Sequence, residues 1–176
     1  MMHVITGGSG SGKSSYGEDW ILEKAKGDLP LLYLATMIPQ GEEGRQRVER
    51  HRRLREGKGF STIECPRQLA KLSFPKNRGI LLECVSNLAA NTWYEEKTGY
   101  LSEEETIRRI REDLSCLREH TPLLVVITNE TAQDLLPSCE EMQIYQRILG
   151  RVNQYLGGLA EKVTEVAAGI PIPVKM

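Results

Sequence analysis

Charge of one sign, paired cysteines, long apolar runs and low-complexity tracts are all scarce in this chain. Lysine and arginine number 23 against 24 aspartate and glutamate residues, leaving a net charge of -1. That balance creates no general field to draw the molecule to nucleic acid or to an anionic membrane, so neither is expected as a partner. The four cysteines, Cys65, Cys84, Cys116 and Cys139, form no CxxC pair, which removes the ligand pairs of an ordinary zinc site. With 176 residues the chain can bury a core without disulfide staples. Four reduced thiols are therefore expected. No apolar run approaches the length of a membrane span. The opening MMHVITGG lacks the basic region and apolar stretch of a signal peptide. A cytoplasmic protein is expected. No repeat or linker divides the chain, so residues 1–176 read as a single domain.

What is present is an alternation. Short apolar runs at 3–6, 31–35, 80–85 and 123–128, with a weaker one at 163–168, read as strands. They lack an in-out pattern, so both faces are buried, as in a parallel sheet covered by helices. The segments between carry helical signals. Ser102 and Glu105 make a capping box, and Ile107, Ile110, Leu114 and Leu117 follow as one stripe. Pro122 closes that helix. Ser138 to Glu141 repeats the capping pattern ahead of Ile144, Ile148, Val152, Tyr155 and Leu159. The segment 57–59 reads as a loop tip, and the prolines of the C-terminal tail suit an edge strand. The fold class is α/β, a doubly wound and mostly parallel sheet.

Gly7-Gly8-Ser9-Gly10-Ser11-Gly12-Lys13-Ser14 fits G-x-x-x-x-G-K-S/T, the P-loop. Glycines let the backbone approach phosphates closely, and successive N–H groups form an anion nest at a helix N-terminus. Lys13 supplies charge to the β- and γ-phosphates, and the Ser14 hydroxyl is a ligand for Mg²⁺. Val4 and Ile5 precede the loop as a strand. Ser15, counted with the nucleotide-binding residues, opens a helical segment to Lys26. That context separates a P-loop from a glycine-rich turn.

Mg²⁺ also calls for an acid. Glu83 ends the run Ile80-Leu81-Leu82-Glu83, at the strand end where ligands bind in open α/β sheets. Glu130 holds the equivalent place on another strand, and Glu83 is preferred.

Six of the eleven residues at 45–55 are arginine. Such a run is ordinarily a solvated helix face. The alternative is a phosphate-handling helix, because guanidinium forks suit triphosphate oxygens. His51 lies between Arg50 and Arg52. A neutral imidazole there could attack an α-phosphate and displace pyrophosphate, with arginines stabilising the developing charge.

These residues together resemble the bifunctional adenosylcobinamide kinase/adenosylcobinamide-phosphate guanylyltransferase family of cobalamin biosynthesis. The matching segments are Ile5-Thr6-Gly7-Gly8, Leu32-Tyr33-Leu34-Ala35-Thr36, Arg47-Val48-Glu49-Arg50-His51, Thr62-Ile63-Glu64, Leu81-Leu82-Glu83-Cys84, Thr128-Asn129-Glu130 and Gly150-Arg151-Val152-Asn153-Gln154. The resemblance covers nearly the whole chain. It implies phosphorylation of the cobinamide aminopropanol hydroxyl with ATP or GTP, then GMP transfer from GTP through a GMP–histidine at His51. It also implies nucleotide contacts at Thr36, Met37 and Ile38, at Arg52, Arg53, Leu54 and Arg55, and at Glu64 and Glu83. A corrinoid substrate and a homotrimer complete the implication.

The sequence departs from the family pattern twice. Thr131-Ala-Gln-Asp-Leu-Leu-Pro137 replaces a glycine-rich run, and Gly41 stands two residues before Glu43 where the family carries aspartate. Both bear on substrate contacts more than on nucleotide. Two other readings stay open on sequence alone: a P-loop small-molecule kinase without guanylyl transfer, and a non-catalytic GTP-binding regulatory protein.

Overall fold

The structure is a computed structural model that describes residues 1–73, 77–131 and 139–176, without the side chains of Arg47 and Leu54. In chain order the elements begin with β1 (Met2–Thr6), α1 (Lys13–Ala25), β2 (Leu31–Ala35), α2 (Gly41–Arg55) and β3 (Phe60–Glu64). A short 3-10 turn (Leu69–Lys71) precedes β4 (Gly79–Leu82) and α3 (Val85–Trp93). The hairpin strands β5 (Tyr94–Glu95) and β6 (Gly99–Tyr100) follow, then α4 (Glu103–His120) and β7 (Leu123–Ile127). The chain ends with α5 (Glu140–Leu159), β8 (Lys162–Ala167) and β9 (Ile170–Lys175).

The main sheet has the order β3-β2-β4-β7-β1-β8-β9 among the described residues. Every pairing is parallel except β8 with β9. The expected α/β class and doubly wound sheet are thus observed. Alternate strand residues feed two cores. Leu32, Leu34, Ile80, Leu82, Leu124 and Val126 join the stripes of α3, α4 and α5 on one face. Leu31, Tyr33, Leu81, Val125 and Ile127 meet Ile21 and Ala25 of α1 on the other. Each such side chain stabilises by about 1.5–3 kcal/mol, which explains why these strands show no alternation. Gly17 lets α1 lie close to the sheet, since a Cβ there would sit 3.1 Å from Ile5 and 3.2 Å from Ile127.

Ser102 caps α4 by accepting from the Glu105 N–H at 3.2 Å, as the capping box predicts. Ile107, Ile110, Leu114 and Leu117 are all buried. The second capping pattern begins on Ser138, outside the described residues; α5 starts after Cys139, whose side chain makes no capping bond. Leu54 and most of the Thr131–Pro137 segment also lie outside the description. The run at 80–85 yields a shorter strand than its apolar length suggests: β4 stops at Leu82, and Val85 already belongs to α3. All four cysteines are free thiols.

Candidate active site

The parallel strands deliver their C-terminal ends to one edge, and the site is built there. Beyond β1 the chain turns at Gly7, with φ of 148°. A Cβ at Gly7 would overlap the Val166 carbonyl oxygen of β8 and lie 2.8 Å from Ser11 Oγ. Gly10 and Gly12 follow with φ of 74° and 91°, the left-handed region open to glycine. The β8–β9 turn braces the loop, Gly169 N donating to Ser11 O at 2.9 Å. On the other side Glu130 N donates to Gly7 O at 3.2 Å. The first turn of α1 then offers its free N–H groups, with Ser14 half-buried and Ser15 exposed.

Lys13 is 8% exposed, and its Nζ donates to Gly8 O at 2.8 Å. Burial pulls its pKa below the ordinary lysine value, opposed by the charge interaction with Cys84. The buried hydroxyls of Thr6 and Ser11 have no partner among the described residues. Phosphate oxygens fit such a setting of unmatched donors.

Glu83 and Cys84 follow β4, with β7 between them and the P-loop strand. Glu83 accepts from Tyr33 OH at 3.2 Å and from Thr36 N at 3.0 Å. These bonds fix the carboxylate and leave it lone pairs for a cation. Burial, then Glu83, push the Tyr33 phenol far above its usual range, so it stays a donor. Thr36 is fully buried, and its hydroxyl donates to Cys84 O at 2.8 Å. Its side chain therefore holds the strand ends together, and its N–H and carbonyl are already bonded to Glu83 and Asn91, so the nucleotide contact implied at Thr36 finds no free group.

His51 lines a cavity of about 330 Å³ with Met37, Arg52, Arg55, Glu64 and Glu83. The structure brings together most of the residues named around the histidine. Arg52 pairs with Glu64, and Arg53 faces outward to Glu49 at 3.2 Å. Ile38 is exposed. Gly41, where the family pattern expects aspartate, opens α2 with φ of 62°.

Arg55 is the residue whose setting the sequence did not disclose. It is 7% exposed, and its guanidinium stacks 3.6 Å from the Tyr33 ring centroid. Its Nε and Nη1 make no hydrogen bond among the described residues. A buried cation with two idle donors is costly unless an anion completes it. Position 55 looks like any other arginine in the run, so only packing singles it out.

Lys13 and Ser14 do not line this cavity. From β1 to β2 there are three strand spacings, about 14 Å. The helix carrying His51 is held at its C-terminal end, by Arg55 on Tyr33 and by Lys58 on the buried Glu18 at 2.6 Å.

A polar chain beyond β7 also escaped the sequence reading. Thr128 Oγ1 donates to Asn153 at 2.7 Å, and Asn153 donates to Asn129 O at 3.0 Å. Asn129 then bonds Ser86, whose carbonyl accepts from Tyr145 OH at 3.1 Å.

Residues 3–174 match the family described as cobinamide kinase / cobinamide phosphate guanyltransferase. The bifunctional adenosylcobalamin biosynthesis protein CobU of Escherichia coli is 30% identical over 186 residues, covering 99% of this chain and 100% of that protein. Its Salmonella typhimurium namesake is 32% identical over 187 residues, with the same coverage. CobP of Pseudomonas aeruginosa is 30% identical, covering 99% of this chain and 98% of that one. Among solved structures, an ATPase domain aligns with a TM-score of 0.53 at 12% identity. It covers 93% of this chain and 68% of that one, a likeness of fold alone. On the near-complete family match and these full-length relatives, the chain belongs to the cobinamide kinase / cobinamide phosphate guanyltransferase family.

Proposed function

We propose that the protein phosphorylates adenosylcobinamide with ATP or GTP and then transfers GMP from GTP to the product, giving adenosylcobinamide-GDP. The observation that carries this reading is the cavity in which His51 meets Arg52, Arg55, Glu64 and Glu83, at the same sheet edge as the P-loop. A kinase needs the loop alone. A second phosphate-handling pocket with a nucleophile is what guanylyl transfer adds.

In the first step the substrate hydroxyl oxygen bonds to the γ-phosphorus, the bond to the β-phosphate oxygen breaks, and the hydroxyl proton leaves to solvent. The loop amides and Lys13 hold the triphosphate and neutralise charge on the departing diphosphate. Lys13 must release Gly8 O to do so. The Ser14 hydroxyl and the Glu83 carboxylate would hold Mg²⁺, which when bound supplies charge neutralisation between the phosphates.

In the second step a His51 nitrogen bonds to the α-phosphorus of GTP and pyrophosphate leaves. Arg52 and the idle donors of Arg55 receive the charge on the non-bridging oxygens. An oxygen of the corrinoid phosphate then takes the guanylyl group, the P–N bond breaks, and His51 is restored. Homotrimeric assembly, a cytoplasmic setting and action of residues 1–176 as one domain belong to the same reading. No helix among the described residues is long and apolar enough to cross a membrane.

The test is turnover: adenosylcobinamide with ATP, GTP and Mg²⁺ is expected to give first a phosphate ester and then a GDP ester by mass spectrometry. Lys13→Ala is expected to stop the first product, and His51→Ala the second only. Absence of both products from the unsubstituted protein refutes the proposal.

A further inference from the structure

The hairpin β5–β6 leaves large aromatic surface in water on a chain with few aromatic residues. Tyr94 is 46% exposed and Tyr100 is 52% exposed. Their ring centroids are 4.8 Å apart, and Tyr100 lies 4.6 Å from the buried ring of Trp93. Trp93 makes the pair a fixed platform, and the Tyr100 hydroxyl interacts with the Glu141 carboxylate at the start of α5. Nothing in the fold or in the nucleotide chemistry needs two tyrosine faces in solvent. Helix α3 starts beside Lys13, where Cys84 interacts with the lysine charge, and ends at the hairpin. Ten residues of helical rise place Tyr94 about 15 Å from Cys84.

We infer that Tyr94 and Tyr100 form the docking surface for the corrin ring of the substrate, an inference that rests on the proposed function. Three features fit this occupant. A conjugated corrin presents broad, methyl-edged apolar surface, which aromatic faces cover well. The amide-linked aminopropanol arm has seven bonds from ring carbon to hydroxyl oxygen, about 8 Å when extended. With that oxygen at the P-loop, the ring body spans the remaining distance to the hairpin. Adenosylcobinamide carries a net positive charge, and exposed Glu96, Glu140 and Glu141 outnumber the one exposed lysine of the hairpin turn, Lys97. That acidic excess favours a cationic ring over a free nucleotide.

The experiment is corrinoid kinetics and equilibrium binding with Tyr94→Ala/Tyr100→Ala and with Tyr94→Phe/Tyr100→Phe. The alanine pair is expected to raise KM and Kd for adenosylcobinamide at least tenfold. Covalent guanylylation by GTP alone, which needs no corrinoid, is expected to stay at the parent level and so reports an intact fold. The phenylalanine pair is expected to stay within threefold of the parent. Corrinoid Kd within twofold of parent in the alanine pair overturns the inference and leaves the proposed function standing. An altered oligomeric state with unchanged corrinoid affinity also overturns it, since a second copy then covers the platform. No corrinoid binding by the unsubstituted protein overturns the proposed function and this inference with it.

Discussion

Gly7→Ala sets a methyl group against a wall that cannot retreat. The new Cβ overlaps the Val166 carbonyl oxygen and lies 2.8 Å from Ser11 Oγ. The serine can rotate away. Val166 cannot, because β8 is pinned between β1 and β9. At φ of 148° an L side chain is also strained. Backbone strain of this kind costs about 1–3 kcal/mol and overpacking about 1–3 kcal/mol. Their sum, about 2–6 kcal/mol, lowers Tm by roughly 5–20 °C for a domain of this size. Relief of the clash by moving the loop displaces the nest, so GTP affinity is expected to fall at least tenfold. Gly8→Ala is the control: a Cβ at Gly8 meets nothing within 4 Å, and its φ is not in the strained range. Thermal unfolding and equilibrium GTP binding read both effects. A Gly7→Ala protein melting within 2 °C of the Gly8→Ala protein, with equal GTP affinity, refutes the reasoning.

Three further outcomes are expected. Arg55→Ala removes both the stack on Tyr33 and the cost of a buried cation with idle donors, so stability is expected to change little while formation of the guanylylated protein slows at least tenfold; single-turnover labelling and chemical denaturation check the two parts. His3 is buried beside Thr164, and burial, then Lys162, lower its pKa from 6.5 to about 4. The unfolded chain therefore takes the proton first, and stability present above pH 6.5 is lost as pH falls towards 4, by up to about 3 kcal/mol. Denaturation at a series of pH values checks this, and His3→Gln is expected to flatten that part of the curve. Ser102→Ala removes the cap on α4 and is expected to cost about 1 kcal/mol by the same assay, with GTP binding unchanged.

Strands buried on both faces were legible because their sequence pattern needs no partner to be seen. The run 31–35 is β2 to the residue, and 123–128 exceeds β7 by one. Strand β3 was not legible. Phe60–Glu64 is a mostly exposed edge strand, made by pairing with β2 and by two packed residues, Ile63 on one core and Phe60 on the other. The hairpin after Trp93 was missed for a similar reason: two-residue strands carry no period. At the site, the P-loop is a local motif and could be read directly. Glu83 needed only the rule that ligands gather at strand ends. The joining of His51 to Glu64 and Glu83 is set by Arg55 stacking on Tyr33 and Arg52 pairing with Glu64, which sequence resemblance implied and spacing could not. Arg55 and the Thr128–Asn153–Asn129–Ser86 chain depend wholly on tertiary contact.

The central claim, that one triphosphate is used at two ends, rests on His51. Incubation with Mg²⁺ and GTP labelled at either the α- or the γ-phosphate, followed by peptide mass analysis, tests it most directly. The account predicts an acid-labile guanylyl adduct on His51, carrying the α-label and not the γ-label, and absent from His51→Ala. An unmodified His51, or an adduct that survives the substitution, contradicts it.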